Sequence, residues 1–180
     1  MCDESLPSAT PFLSEKTFLK VLDSTPLISI DLIVRNSKGQ ILLGLRTNRP
    51  AQGYWFVPGG RIYKNESLAN AFKRLTKDEL GIELAINSAK YLGLYEHFYE
   101  DCAFDLDNET PKTSTHYVVN GFEVELPEPI DSGLGVGENK SLLPLEQHES
   151  YRWMSECDLL AASDVHIHSK WYFDKNKGYL

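Results

Sequence analysis

Short apolar runs separated by turn-forming clusters make up most of this chain, and two or three segments carry helical spacing instead. Ser14 to Leu22 sets Phe18, Leu19, Val21 and Leu22 on a packing side, with Ser14 placed to cap and Pro26 beyond the end, which predicts a short helix. Leu27 to Val34 and Gln40 to Arg46 are aliphatic runs joined by Asn36-Ser37-Lys38-Gly39, so a β-hairpin is expected, with Asp31 interrupting its first strand. The polar loop Thr47 to Gly53 then leads to a short strand, Tyr54 to Pro58, and a glycine pair. Leu68, Ala71, Phe72 and Leu75 form one helical stripe, and Gly81 is a natural stop for that helix. Tyr91 to Tyr99 and Thr115 to Leu126 read as strands, as does Tyr151 to Met154. Ser155 to Leu160 reads as a helical turn, and Ser163 to Lys175 as a terminal helix with an aromatic patch at Trp171, Tyr172 and Phe173 that suits core or subunit contact. Glu100 to Lys112 and Pro127 to Pro144 are polar or rich in proline and glycine and read as long loops, while residues 1–11 read as a flexible extension.

Bulk properties narrow the classes of function. A chain of 180 residues with 42% hydrophobic content suits one domain, 1–180, with a core of its own and no internal repeat. No run is long enough to span a membrane, and the acidic start lacks the basic and apolar regions of a secretory signal, so a cytoplasmic protein without a membrane partner is expected. A net charge of −8 disfavours nucleic acid as a partner. It also means that a phosphorylated substrate needs a local cluster of arginines. Cys2, Cys102 and Cys157 contain no Cys-x-x-Cys pair, which argues for reduced thiols and against structural zinc.

Chemistry concentrates between Gly59 and Ile82. In the motif that this segment resembles, a loop enters a helix whose positions, here 75, 78 and 79, share a face and converge carboxylates on a divalent ion. They are Leu75, Asp78 and Glu79, so at most two carboxylates are available. Glu79 lies four residues after Leu75 on the apolar stripe, where an unpaired acid is costly, and this favours a metal ligand over a solvated charge. Asp78 falls at the edge of the stripe and reads as solvated. The segment resembles a Nudix box: Gly60, Glu66, Arg74, Glu79, Gly81 and Ile82 fit the pattern, and Leu75, Thr76 and Asp78 depart from it. Arg74 reads as structural support paired with Glu66.

With Arg46 to Arg61, the leucine at position 75 and Glu146-Gln147-His148, the sequence resembles GDP-mannose mannosyl hydrolases over roughly Phe12 to Phe173. The resemblance implies an α+β protein with the Nudix fold, an α/β/α sandwich around a mixed sheet. It implies hydrolysis of GDP-mannose, and of GDP-glucose, to GDP and free sugar, with water attacking the anomeric carbon and inverting it. It places metal ligands at Gly59 (backbone carbonyl), Glu79 and Gln147, for one Mg²⁺ per subunit that Mn²⁺ could replace. It places the general base at His148, leaving-group arginines at Arg46 and Arg61, and further site residues at Asp31, His97 and Tyr117. It also implies a homodimer in which Phe12 and Leu13 reach the guanine held by the neighbouring subunit. Two other readings stay open: a conventional Nudix pyrophosphohydrolase attacking phosphorus, and a nucleotide-sugar binding module without catalysis. His116 is expected on the strand face opposite Tyr117, and His166 and His168 on the surface.

Overall fold

Strand β1 (Leu27–Arg35) is buried along most of its length, with Ile28 its one exposed side chain, as expected of a strand covered on both faces in the middle of a sheet. The structure, a computed structural model, describes residues 13–104, 113–126 and 148–179. Phe12, Gln147, the 127–144 loop and most of the 100–112 loop lie outside those residues. Parallel pairing with β6 (Thr115–Glu125) runs the length of β1, and β6 pairs antiparallel with β5 (Lys90–Tyr99). On the other side β1 turns through Gly39, at φ 74°, into β2 (Ile41–Arg46), which pairs in turn with β3 (Trp55–Phe56) and β7 (His148–Met154). The glycine pair is itself a strand, β4 (Gly59–Arg61), antiparallel to β1 over Ser29 to Asp31. The sheet is therefore mixed and seven-stranded. At its outer edge Leu94 of β5 exchanges both backbone hydrogen bonds with Tyr179, each at 2.7 Å.

Alternation along β1 and β2 sends side chains into two cores. On one face Ile30, Leu32, Val34 and Leu42 meet Ala71, Phe72, Leu75 and Leu80 of helix α2 (Leu68–Leu80). Ser67 caps α2 by accepting from the Asn70 amide at 3.2 Å, and Gly81 ends it in the left-handed region at φ 72°. Leu68 departs from the expected stripe: at the first turn it overhangs the sheet and is 39% exposed. On the other face Ile33, Ile41, Leu43 and Val119 pack beneath Leu159 of α3 (Glu156–Ala161), Val165 and Tyr172. The layers form an α/β/α sandwich. Helix α1 (Glu15–Ser24) closes one end, packing Leu22 with Leu27 and Cys102. Among the described residues no helix is long and apolar enough to cross a membrane.

The terminal helix is a correction. Only α4 (Ile167–Trp171) is helical within Ser163 to Lys175. Trp55 of β3 donates to the Asp164 carbonyl at 2.9 Å and accepts from the His166 amide at 3.0 Å, which draws the chain out straight before α4 can start. His166 then sits at the helix N-cap.

Candidate active site

β1 and β2 share a register only beside their hairpin, at Arg35 and Ile41, and β4 takes over the edge of β1 from Ser29 to Asp31. The parting of the two strands leaves a cleft of about 310 Å³. Seven of the eleven residues singled out in the sequence line it: Asp31 from β1, Arg46 from β2, Gly59 and Arg61 from β4, Glu79 from α2, His97 from β5 and Tyr117 from β6. Leu13 is described but stands 52% exposed before α1, away from the cleft lining. The backbone of His148 is paired with Arg46 across β2 and β7, which sets the start of β7 beside the cleft wall.

Local bonding fixes the loop that carries the glycines. Arg74 of α2 donates through Nε and Nη2 to the two carboxylate oxygens of Glu66, at 2.7 and 2.8 Å, and through Nη2 to the Arg61 carbonyl at 2.9 Å. The pairing holds the Glu66 carboxyl below the usual carboxylate range. A side chain at residue 59 would bring its Cβ to 2.7 Å from Asp31 Oδ1, so only glycine allows β4 to lie this close to β1. Gly60 likewise faces Leu75, whose Cδ2 would stand 2.7 Å from an added Cβ. Leu75 thus occupies the space in front of the glycine loop as packed hydrocarbon, 3% exposed.

The two arginines are aimed differently. Arg46 Nε donates to the Pro50 carbonyl at 2.9 Å, and its guanidinium lies over the Phe56 ring at 5.8 Å. Arg61 lies over Phe18 of α1 at 4.4 Å. Neither forms an ion pair with a described residue, so a cationic wall stands in an acidic protein. Glu79 lines the same cleft at 3% exposure. Asp78, by contrast, is half exposed beside Arg74.

At the back of the cleft Asp31 is not an interruption of β1 but a buried acid. Its Oδ2 accepts from the Tyr172 hydroxyl at 2.6 Å. Burial pushes its carboxyl up to about 7, against the opposing pull of the Tyr172 hydrogen bond and the Arg46 charge, with Glu79 adding to the rise. Burial raises the Tyr117 phenol, with Arg61 and Arg46 opposing. His97 is held neutral, lowered to about 2 by burial and then by His168 and His166.

His168 is therefore not a surface residue, and His166 is half-buried. His168 is buried and stacks on His97 with ring centroids 4.2 Å apart and planes 8° from parallel, and His166 stacks against Tyr99 at 5.6 Å. His116 does lie on the face opposite Tyr117, stacked on exposed Phe98. Sequence reasoning also missed Tyr99 and Pro50. Tyr99 could have been found, since it lies two residues from His97 on one strand and shares its face.

Hard divalent cations take oxygen donors. The carboxylates lining the cleft are those of Asp31, Asp78 and Glu79, with Gly59 beside them, and among the described residues no three His, Cys, Asp or Glu side chains gather into a fuller cage. The donor set fits an ion that takes much of its coordination from a bound phosphate.

A mixed-sheet sandwich whose glycine strand is tied by a Glu–Arg pair to a helix bearing a buried glutamate is the frame of the Nudix fold. The NUDIX domain family matches residues 25–174, and the chain belongs to that family; Nudix hydrolases generally use divalent ions such as Mg²⁺. Over 108 residues, 60% of this chain, it is 43% identical to the low-salt glycan biosynthesis protein Agl8 of Haloferax volcanii, and the match spans 64% of that protein. In fold it resembles the MutT protein of Methanosarcina mazei Go1, with a TM-score of 0.59 and 22% identity over 84% of this chain and 94% of the other. A MutT Nudix hydrolase of Burkholderia pseudomallei gives the same score and identity, over 84% and 98%.

Proposed function

We propose that this Nudix hydrolase cleaves GDP-mannose, and GDP-glucose, to GDP and free sugar by water attack at the anomeric carbon with inversion. The observation that carries this reading is the composition of the cleft around the box helix. Leu75 fills one carboxylate position with packed hydrocarbon, while Glu79 remains and Arg46 and Arg61 form no ion pair with a described residue. Such a wall is equipped to receive the charge of a departing diphosphate. It is poorly equipped to assemble several metals around an attacked phosphorus. That the relative Agl8 is named for glycan biosynthesis agrees with a sugar nucleotide as substrate.

Arg46 and Arg61 hold the diphosphate and stabilise the charge that grows on it as the bond from the anomeric carbon to oxygen breaks; one such contact is worth on the order of 10² to 10³ in rate. Glu79, the Gly59 carbonyl and Gln147 would hold Mg²⁺, which when bound supplies further neutralisation of the phosphates. His148 takes the proton of the water that forms the new bond to carbon on the opposite face of the sugar. Asp31, His97 and Tyr117 line the part of the cleft that meets the hexose. The homodimer belongs to the same proposal, with Phe12 and Leu13 contacting guanine in the neighbouring subunit; deletion of residues 1–14 is expected to raise the KM for GDP-mannose, and an unchanged KM would remove these contacts.

Hydrolysis in ¹⁸O-labelled water with Mg²⁺ tests the chemistry. Label in the sugar, with β-mannose released first, is the expected result. Label in a phosphate, with GMP and mannose phosphate as products, would establish the conventional pyrophosphohydrolase instead. Absence of turnover on every GDP-sugar, with binding retained, would leave the non-catalytic module.

A further inference from the structure

Tyr172 belongs to none of the roles above, yet its hydroxyl touches two residues of the cleft. It lies 2.6 Å from Asp31 Oδ2 and 3.5 Å from His97 Nε2. A phenol carries one proton. At these distances the proton goes to the carboxylate, and the phenolic oxygen turns a lone pair toward the imidazole. With Asp31 ionised, the nitrogen facing that lone pair is the protonated one, so the chain runs from His97 Nε2–H to the Tyr172 oxygen, and from the Tyr172 proton to Asp31. His97 Nδ1 is then left as an acceptor.

The surroundings leave these groups little freedom. Tyr172 is buried among Ile33, Val119 and Leu159, and its ring meets Tyr95 edge-on at 4.6 Å. His97 is clamped between His168, stacked at 4.2 Å, and Phe56 and Trp171 at its edges. The imidazole cannot turn to exchange its nitrogens without displacing its neighbours, so the hydrogen it presents is decided by Tyr172.

We propose that Tyr172 is a positioning residue for the sugar end of the cleft: through one hydroxyl it fixes His97 as the Nε2–H tautomer and holds the Asp31 carboxylate, so that the two present a set pattern of acceptors to hexose hydroxyls. The part concerning hexose rests on the function proposed above, whereas the tautomer does not. An acceptor-rich wall selects ligands that bring hydroxyl donors in a defined arrangement.

The test uses long-range ¹H–¹⁵N correlation spectra of the histidine rings in the full chain without substrate, at about pH 8.5, where Asp31 is ionised. Wild type is expected to give His97 as the Nε2–H tautomer, and Tyr172→Phe to give a mixture of both. The Nδ1–H tautomer in wild type would overturn the proposal without recourse to any variant, as would an unchanged tautomer in Tyr172→Phe. A second readout compares ligands. Tyr172→Phe is expected to lower kcat/KM for GDP-mannose by about tenfold while binding GDP, which lacks the sugar, as tightly as wild type. A parallel loss of GDP affinity would mean that Tyr172 merely holds the fold. A wild type inactive on all GDP-sugars would sink the proposed function and leave the tautomer test standing.

Discussion

The two buried acids in the cleft, Asp31 and Glu79, differ in how plainly the sequence announces them. Glu79 is legible because helical geometry alone carries it onto the stripe of Ala71, Phe72 and Leu75, where an acid has no reason to be unless it meets a cation. Asp31 looks like a flaw in a strand. The group that makes its place habitable, the Tyr172 hydroxyl, lies 141 residues further along the chain, and no local pattern encodes such a partner. The histidines repeat the lesson: His166 and His168 look peripheral as long as Ser163 to Lys175 is taken for one helix, and their contacts with Tyr99 and His97 arise only because Trp55 straightens that segment. At this scale the proposed base gives a direct expectation. His148→Gln should lower turnover of GDP-mannose by about 10² or more. Titration with Mg²⁺, followed by calorimetry, should give the same affinity in variant and wild type, and equal turnover would remove His148 from the mechanism.

Element boundaries follow the local chemistry where a cap or turn is decisive. Gly39 and Gly81 stand where the sequence puts them, in the β1–β2 turn and at the end of α2, whereas Ser14 precedes α1 without a side-chain cap, its hydroxyl bonded to that of Thr17. What the sequence conceals is that Gly59 to Arg61 forms a strand, since a glycine pair has no β-propensity and is recruited only by the open edge of β1. The β4–α2 unit also explains why a leucine can stand at position 75. It packs against Gly60 and the α2 core, so the loss of a carboxylate was accompanied by a gain in buried hydrocarbon. Restoring the acid is therefore expected to harm the fold: Leu75→Glu should reduce stability in urea by about 2 kcal/mol or more in EDTA, with part of the loss recovered in Mg²⁺ as the added carboxylate finds a cation. Stability independent of Mg²⁺ in this variant would mean that the new acid does not reach the cleft.

Taken whole, the molecule buries two imidazoles, His97 and His168, and half-buries a third, His166, all in their neutral form, and its stability must respond to acid. His97, His168 and His166 are lowered to about 2, 3 and 4, each chiefly by burial, from an ordinary value of 6.5. The unfolded chain then binds more protons below pH 6.5, so stability is fully present above pH 6.5 and is lost as pH falls toward the folded values. Asp31 acts in the opposite sense. Its carboxyl, raised from 3.8 to about 7, gives a contribution that is present below 3.8 and lost as pH rises through 7. Three groups against one make the net slope acid-labile, and the thermal midpoint should fall between about pH 6.5 and pH 4.5, less steeply in His168→Phe than in wild type. A flat profile in wild type would show that these rings are not neutral and buried as described. One last feature concerns molecules in company. The outer strand β5 would offer a continuous row of unused donors and acceptors, the usual template for one protein to recruit another into a growing fibril. Tyr179 sits across its midpoint at Leu94 and divides that row into two short lengths, so a crowded solution of this protein finds no runway on which to begin stacking.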